Sequence, residues 1–542
     1  MEFPRVVCVI GAGPRGTSVV ERLIASAPEL LDGARLRIEV IDPYPPGAGR
    51  IWRQDQPGHL LMNTLAAQAT LFTDETVEGS GPVVRGPSLY EWATARGVVL
   101  QPWSHPSRAL LGSYYAWAFD RATDSAPDRV TVTVRRTRAV AIRGMSVLLE
   151  DGGRVDAGAI VITTGHSDLV PSDRQQVLAD FAAERDLTYI PAAHPLDLDL
   201  SPVRPGETVL VQGFGMNFFD VMSLLTVGRG GRFEEGRYHP SGREPVLAVG
   251  SRSGVPYRAK PVYGSLPPVW KPRHFTGESR GVQDFRRDIW PLIARDAAEA
   301  HAAAGGDGHP DLDGLARPLD GARPWTEAGL RDALLDHLRA DLAEARRGKD
   351  SPVKAAAASI GASRPRLQKL IARGGLTRQS VRDDVAGWFK GFSAALASGP
   401  PASRIEELLA LADAGLVRFA GPGMTVEPDG DGFVSRPAGI RARAAIEARL
   451  PPNDVPRTVD PLLADLIASG RGRADGAALD VTASPYRVVA AGGCPHRAIF
   501  ALGIPLEGAQ FLNALGPAPR AGSEFLAQTD AVARAALGAL TH

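Results

Sequence analysis

The sequence predicts an α/β protein with two Rossmann-like dinucleotide-binding domains and a helical insertion. Three observations lead to this fold class. A glycine-rich turn follows an apolar run at residues 6–10, and a second such turn follows an apolar run at residues 208–211. From about residue 284 to residue 476, alanine, arginine and leucine instead recur at helical spacing.

The first glycine-rich turn has the spacing Gly-x-Gly-x-x-Gly, formed by Gly11, Gly13 and Gly16. Glycines are needed there for the strand-to-helix turn, for close approach of a pyrophosphate and for helix–strand packing. Residues 35–41 predict the next strand, and Asp42 at its end can accept hydrogen bonds from a ribose. The residues expected to bind this first nucleotide are Gly11, Gly13, Pro14, Arg15, Gly16 and Asp42.

The second turn contains Gly213 and Gly215 but has Phe218 at the third glycine position. The strand predicted at residues 245–250 ends in Ser251 and Arg252 rather than in an acid. A hydroxyl and a guanidinium suit a 2′-phosphate, so the sequence favours NADPH over NADH. The residues expected to bind it are Gly213, Gly215, Met216, Asn217, Ser251 and Arg252.

The composition agrees with a large enzyme and gives no sign of a nucleic-acid or membrane partner. The chain has 542 residues, 44% of them hydrophobic, and 61 basic residues balance 61 acidic ones. We therefore expect neither nucleic acid nor a membrane as partner, a cytoplasmic location by default, and leave homo-oligomerisation open. The two cysteines predict no redox pair, and no metal-ligand spacing is found.

The predicted organisation is interrupted, because the first domain is completed by the end of the chain. We expect its first part at residues 1–200 and its closing part at 477–542. The second domain begins at 201–283, and a mainly helical insertion at 284–476 continues the second nucleotide and substrate region.

Two loops are candidates for holding the ring of a flavin at the first site. Trp52 and the step Met62, Asn63, Thr64 offer flat apolar contact and amide groups. A strand at 159–162 runs into Gly165, a turn that closes the first domain. Near the end of the chain, a second group of candidates comprises Gly503, Glu507 and Gly508.

These motifs together resemble a known family. Residues 9–16, 59–72, 106–112, 251–254 and 503–508 look like those of actinobacterial FAD/NAD(P)-binding flavoproteins that include the nitrosuccinate-forming aspartate N-hydroxylases. More distantly, they are similar to lysine and ornithine N-hydroxylases. The resemblance implies FAD and NADPH as cofactors, molecular oxygen as co-substrate, and hydroxylation of the amine of a small amino acid. L-aspartate, oxidised successively towards nitrosuccinate, is the leading candidate.

The resemblance also suggests roles for individual residues. Asn63 and Gln68 are the candidates for contact with the edge of the flavin. Two carboxylates of an aspartate would need cations, and the densest basic patch spans residues 258–260 and 270–274. From this patch we expect the substrate to be bound by Lys271, Arg273 and His274. The alternatives for the same patch are a solvated loop or the binding site of the NADPH phosphate.

Other functions share the same two nucleotide motifs. A Baeyer–Villiger or sulfur-oxidising flavin monooxygenase has both sites, but the Phe-x-Gly-x-x-x-His-x-x-x-Trp fingerprint of the former is absent from the sequence. A flavin NADPH oxidase or reductase would release only hydrogen peroxide. A redox sensor without catalytic activity would bind FAD and would not turn over.

Overall fold

The computed structural model describes residues 5–278, 281–319, 325–511 and 516–541. The strands are β1 Arg5–Ile10, β2 Leu36–Ile41, β3 Val130–Arg135, β4 Ala139–Arg143, β5 Ser146–Leu149, β6 Arg154–Asp156, β7 Ala159–Ile162, β8 Thr188–Ile190, β9 Thr208–Gln212, β10 Arg232–Glu234, β11 Arg237–His239, β12 Val246–Ser251, β13 Val417–Pro422, β14 Thr425–Asp429, β15 Gly432–Arg436, β16 Arg441–Ala442, β17 Ala444–Glu447, β18 Ala474–Asp475, β19 Ala478–Leu479, β20 Arg487–Val489 and β21 Pro495–Ala501.

The α-helices are α1 Pro14–Leu30, α2 Leu89–Thr94, α3 Arg108–Asp124, α4 Asp173–Glu184, α5 Met216–Leu225, α6 Trp290–Ala303, α7 Leu312–Ala316, α8 Glu327–Arg346, α9 Pro352–Ala372, α10 Lys390–Ala397, α11 Ala402–Asp413, α12 Pro461–Ala468 and α13 Glu524–Ala539. Two π-helical segments, Phe285–Ile289 and Ser380–Phe389, lead directly into α6 and α10.

The first sheet has the strand order β20-β21-β7-β1-β2-β3 and is parallel except for the β20–β21 pair. Its central strand β1 is apolar on both sides because helices or loops cover both faces. Val7 and Val9 join the core formed with α1 and α13, whereas Cys8 and Ile10 join the core on the opposite face. The two ends of the chain therefore build one domain.

The second sheet is wholly parallel, with the order β13-β12-β9-β17-β8. Its helices α5, α8 and α11 bury apolar residues in one large core with β9 and β12. Phe218, which replaces the third glycine, is fully buried there, with its ring centroid 4.8 Å from that of Phe214. The two sheets confirm the predicted α/β class with two dinucleotide-binding domains.

The segment predicted as a helical insertion is helical up to Asp413 and then returns to β-structure. Strands β13 and β17 belong to the second sheet, and β8, which falls in the segment 1–200, pairs with β17. Helices α6, α9 and α10 share a separate aromatic core that includes Phe285 and Phe389. None of the helices in the described ranges is long and apolar enough to cross a membrane.

Candidate active site

The first glycine-rich turn is built for close packing around a nucleotide. Gly11 has φ +95°, and a Cβ there would come within 2.6 Å of the Thr163 carbonyl oxygen. A Cβ at Gly16 would overlap the carbonyl oxygen of Gly11. At Gly13, by contrast, no atom lies within 4 Å of a Cβ position, so the space beside it is open. Such a turn leaves the N-terminus of α1 accessible to a pyrophosphate.

Asp42 connects this turn to the end of β2. Its carboxylate accepts the backbone N–H of Ala12 at 2.6 Å and that of Tyr44 at 2.7 Å. Burial raises the pKa of Asp42, and the two backbone hydrogen bonds act in the opposite direction. Carboxylate oxygens have further lone pairs, so the same group can accept a ribose hydroxyl.

A cavity of about 410 Å³ opens beside the turn and runs along the carboxyl ends of the first sheet. The predicted nucleotide-binding residues that line it are Gly11, Gly13, Pro14, Arg15, Asp42, Trp52, Gly165 and Gly503. Of the other predicted residues, Gly16 packs inside the turn, and Met62 lies in an apolar cluster with Tyr115 and Trp52. Thr64, Glu507 and Gly508 do not line this cavity, and Glu507 forms an ion pair with Lys390.

The sequence reasoning missed several residues that line this first cavity. They are supplied by separate segments: Arg50 and Arg138, Tyr115 of α3, the neighbours of Gly165 (Thr163, Thr164, His166, Ser167 and Asp168), Asp460 and Phe525. Arg50 binds both Asp168 and Asp197, at 2.9 and 2.8 Å. Phe525 packs 4.1 Å from the Arg15 guanidinium. In residues 163–168, only Gly165 could be predicted from the sequence, because it follows an apolar strand closely.

A second cavity, of about 320 Å³, lies between the two domains and the helical segment. Asn63 and Gln68, the residues predicted at the flavin edge, line it together with residues 258–260. Asn63 Nδ2 donates to the backbone oxygen of Ser398 at 3.1 Å, which leaves Asn63 Oδ1 as an acceptor. Met62 packs in the cluster that contains Tyr115 and Trp52, which line the first cavity, and its neighbour Asn63 lines the second, so the Met62–Asn63 step lies between the two cavities.

The charged residues in the lining of this second cavity are all cations: Arg258, Lys260 and Lys354. Asp341 binds Arg258 at 2.9 Å and Lys354 at 2.8 Å, so one carboxylate serves two cations. Lys260 Nζ donates to the Ala397 carbonyl oxygen at 2.8 Å and has no carboxylate partner within the described residues. Burial, together with the positive charges of Arg364 and Lys354, lowers the pKa of Lys260 to about 8.

Arg364 is a second cation in this region without an acid in the described part of the chain. Its Nη1 donates to Ser398 Oγ at 2.6 Å, and burial lowers its pKa to about 10. Lys260 and Arg364 therefore form a pair of like charges that lack counter-charges. Such a pair is costly in a free protein and favours an anionic ligand.

The three residues predicted to bind substrate, Lys271, Arg273 and His274, line neither cavity. The backbone N–H groups of Arg273 and His274 donate to Asp296 at 2.7 and 3.0 Å, and His274 Nε2 lies 2.6 Å from Glu299. Side-chain atoms of His274, Asp296 and Glu299 that could bind a metal ion lie within 4.8 Å of one another. The Asp296 carboxylate, however, already accepts the backbone N–H groups of residues 273–275.

At the second glycine turn, Gly213 has φ +130°, and a Cβ there would come within 2.6 Å of the Ala448 carbonyl oxygen. Gly215 precedes α5, whose first residues are Met216 and Asn217. Ser251 ends β12, and the next residue, Arg252, is exposed and has no carboxylate partner among the described residues. The turn and the cation thus lie at the carboxyl ends of parallel strands, where α/β sheets bind nucleotides.

Two sheets of mainly parallel strands, each with a glycine turn at a helix N-terminus, define a protein with two dinucleotide-binding domains. A family model described as FAD-NAD(P)-binding matches residues 8–167. Over 98% of its length the chain is 39% identical to nitrosuccinic acid synthase npaA of Aspergillus oryzae, covering 93% of it. It is 38% identical to the nitrosuccinate-forming L-aspartate N-monooxygenase of Streptomyces davaonensis, covering 98% of this chain and 97% of that protein. The chain therefore belongs to the family of nitrosuccinate-forming L-aspartate N-monooxygenases.

Among solved structures, the reduced form of ornithine hydroxylase PvdA from Pseudomonas aeruginosa aligns with a TM-score of 0.49 and 12% identity, over 99% of each chain. L-lysine 6-monooxygenase from Pseudomonas syringae aligns with a TM-score of 0.44 and 13% identity, again over 99% of each chain. The family membership confirms the resemblance inferred from the sequence. It also confirms the predicted class of enzyme, a flavin-dependent N-hydroxylating monooxygenase, with FAD and NADPH as its cofactors.

Proposed function

We propose that the protein oxidises the amine of L-aspartate with FAD, NADPH and molecular oxygen, in successive steps towards nitrosuccinate. The relatives that carry this activity in their names are 38–39% identical over nearly the whole chain. The observation in the structure that carries the proposal is the charge of the second cavity: its charged lining residues are all cations, and one of them, Lys260, has no carboxylate partner among the described residues. A cationic cavity suits a substrate with two carboxylates.

The first sheet is proposed to hold FAD and the second to hold NADPH. Gly11, Gly13 and the N-terminus of α1 suit the pyrophosphate of FAD, and Asp42 suits its ribose. Trp52 and Tyr115 would contact the flavin ring at the far end of this cavity. When bound, FAD would supply the redox chemistry with NADPH and oxygen, and the chain's own residues would bind and orient the reactants and exclude water.

The second cavity is proposed as the substrate site. Asn63 Oδ1 and the amide of Gln68 would face the edge of the flavin, because the Met62–Asn63 step lies between the two cavities. Lys260 would bind a carboxylate of aspartate, and Arg364, which lies behind the lining, would add positive charge next to Lys260. Since the Asp341 carboxylate already balances part of the charge on Arg258 and Lys354, those two cations mainly fix the cavity wall.

The test is turnover of the FAD-loaded protein with NADPH and a panel of aspartate, glutamate, asparagine and ornithine. N-oxidised products are measured by mass spectrometry, and hydrogen peroxide by a coupled assay. We expect aspartate alone to couple NADPH use to N-oxidised product. Peroxide as the sole product with every amine would instead support a flavin NADPH oxidase.

A matched pair of variants links the activity to the cavity. Lys260→Met removes the charge and should raise the KM for aspartate by roughly ten- to a hundredfold, the loss expected for a charged hydrogen bond. Lys349→Met, a change at an exposed lysine outside both cavities, should leave the KM unchanged. Equal KM values for the two variants would place the carboxylate site elsewhere.

A further inference from the structure

The two glycine turns have equivalent geometry. Gly11 and Gly213 both have a positive φ, and at each a Cβ would come within 2.6 Å of the carbonyl oxygen that directly follows the adjacent parallel strand. Gly13 and Gly215 are both helix N-caps with extended backbone angles. A Cβ at Gly13 meets no atom within 4 Å, and Gly13 lines the first cavity. The equivalent direction at Gly215 therefore leads to the position expected for a diphosphate at the second turn.

At Gly215 this direction is covered by the side chain of Tyr257. A Cβ on Gly215 would lie 3.4 Å from Cζ of Tyr257 and 3.6 Å from its hydroxyl oxygen. These are ordinary van der Waals distances, so the phenol packs directly on the turn. A diphosphate that approaches the start of α5 as closely as the glycine allows needs the same space. The phenol and the diphosphate therefore exclude each other.

Tyr257 also lies close to the residue predicted to bind the 2′-phosphate. Burial raises the pKa of Tyr257, and the positive charge of Arg252 acts in the opposite direction, which places the guanidinium within electrostatic reach of the phenol. A nucleotide that extends from Arg252 to the turn at Gly215 must therefore pass this ring.

The phenol is held on the turn by packing alone. Its hydroxyl has no hydrogen-bond partner in the described part of the chain. The backbone on both sides is fixed, because Val255 is buried in the core of the second domain and the N–H of Arg258 donates to the Ala395 carbonyl oxygen at 2.9 Å. A rotation of the Tyr257 side chain to another rotamer would clear the turn without moving the chain.

We propose that Tyr257 controls access to the diphosphate position of the NADPH site. The phenol covers Gly215, and NADPH binds when this side chain has rotated off the turn. The apparent affinity is then reduced by the fraction of molecules in which the turn is open. A ligand that uses Arg252 but not the turn does not require the rotation. This inference rests on the proposed placement of NADPH at the second sheet, but its test is a binding measurement that does not require turnover.

The experiment compares NADP⁺, which cannot reduce the flavin, with adenosine 2′-monophosphate, which has the 2′-phosphate and no diphosphate. Dissociation constants are measured by calorimetry on FAD-loaded protein. For Tyr257→Ala we expect the affinity for NADP⁺ to rise about tenfold, the gain for a turn that is open in about one molecule in ten. The affinity for adenosine 2′-monophosphate should stay within about twofold. Tyr257→Phe keeps the ring and should change neither affinity.

Three further variants separate access to the turn from damage to the fold. Tyr257→Leu keeps an apolar side chain without the phenol and should reproduce the gain of Tyr257→Ala. Gly215→Ala has backbone angles that alanine adopts, and its methyl group should weaken NADP⁺ at least about tenfold while adenosine 2′-monophosphate binds as before. Tyr90→Ala changes a tyrosine on α2, outside both cavities, and should alter neither affinity. All variants should keep the thermal midpoint and the FAD affinity of the unchanged protein.

The outcomes distinguish this proposal from the proposed function. If Tyr257→Ala and Tyr257→Leu bind NADP⁺ no better than the unchanged protein, or if Tyr257→Phe binds it more weakly, Tyr257 does not control access to the turn. If Gly215→Ala binds NADP⁺ normally, the diphosphate lies elsewhere and the proposal fails with that placement. If both Tyr257 variants gain NADP⁺ affinity in a protein that forms no N-oxidised product, the role of Tyr257 stands and the proposed function fails.

Discussion

The ammonium group of Lys260 donates to the carbonyl oxygen of Ala397, the last residue of α10, at 2.8 Å. Carbonyl groups at the C-terminus of a helix carry partial negative charge, so this contact stabilises a cation without neutralising it. Lys260 therefore keeps an attraction for anions that a salt bridge would have cancelled. The charge of Lys260 thus lies at the wall of the second cavity without a carboxylate partner among the described residues. This arrangement is typical of a binding site rather than of a structural ion pair.

Binding of a dicarboxylate should weaken as the pH rises above about 8. The pKa of Lys260 is lowered to about 8 in the free protein, and a bound anion favours its charged form. Below this pH Lys260 is charged with or without ligand, and its contribution to binding is constant. Above it, binding requires uptake of a proton, so the affinity falls by up to about tenfold per pH unit.

Succinate suits this measurement because it has no amine to titrate. Its dissociation constant is measured on FAD-loaded protein across this pH range. Lys260→Arg keeps the charge with a group that stays protonated, so the decline above pH 8 should disappear in that variant. An affinity that is constant or rises above pH 8 in the unchanged protein would contradict the assignment of the anion site to Lys260.

The contact between Arg108 and Asp220 should contribute to the stability of the domain arrangement. Arg108 begins α3 and Asp220 lies on α5, and Arg108 Nη2 approaches the two carboxylate oxygens of Asp220 at 3.0 and 2.7 Å. Asp220 is buried, and burial raises its pKa although Arg108 acts to lower it. Asp220→Asn leaves a largely buried guanidinium unpaired, which costs roughly 3 kcal/mol.

The expected result is a lower thermal midpoint for Asp220→Asn, measured by intrinsic fluorescence. Asp156→Asn is the matched control, because the Arg154–Asp156 pair is exposed and exposed pairs contribute little. Similar midpoints for the two variants would show that the Arg108–Asp220 contact does not hold the domains together.

The sequence predicted the nucleotide turns well because each is a local signal. Glycines at 11, 13 and 16 and an acid after the next strand lie close together in the chain, and one β-α-β unit brings them into the site. The first-cavity residues that were missed, such as Arg138 and Asp460, come from distant segments. No local pattern distinguishes them from ordinary surface charges.

The second cavity was harder to predict because it is assembled from five separate segments. Asn63, His105, Lys260 and Lys354 meet there only when both sheets and the helical segment are in place. Residues 258–260 and 270–274 formed one basic patch in the sequence, but only the first part lines the cavity. Asp296 binds the backbone of the second part and holds it elsewhere. The position of the two cavities therefore does not support the prediction that Lys271, Arg273 and His274 bind the substrate.

Gly13→Ala should weaken FAD binding without unfolding the protein. Gly13 has φ −65°, which alanine adopts easily, and a Cβ there meets no protein atom within 4 Å. The added methyl group would instead occupy the first cavity, where the pyrophosphate is proposed to pass. We expect the apoprotein to keep its thermal midpoint and to bind FAD at least about tenfold more weakly.

Gly16→Ala provides the contrast. Its Cβ would overlap the carbonyl oxygen of Gly11, so the turn itself must shift. The apoprotein midpoint should fall for this variant, together with FAD binding. FAD titration by fluorescence quenching and thermal unfolding of the apoproteins distinguish the two cases. A Gly13→Ala protein that binds FAD normally would place the pyrophosphate elsewhere.

Arg252→Ala should reduce the preference for NADPH over NADH. Arg252 follows β12 at the second sheet, is exposed, and has no acidic partner in the ranges the structure describes, so its guanidinium is free to bind a 2′-phosphate. The KM for NADPH should rise roughly ten- to a hundredfold, which is the loss expected for charged hydrogen bonds. The KM for NADH should be unchanged, because NADH has no 2′-phosphate. Arg237→Ala, on the exposed β10–β11 hairpin, is the control that should alter neither value. Steady-state oxidation of NADPH and of NADH measures the two KM values. A parallel rise of both in Arg252→Ala would mean that Arg252 supports the fold of the turn and does not recognise the phosphate.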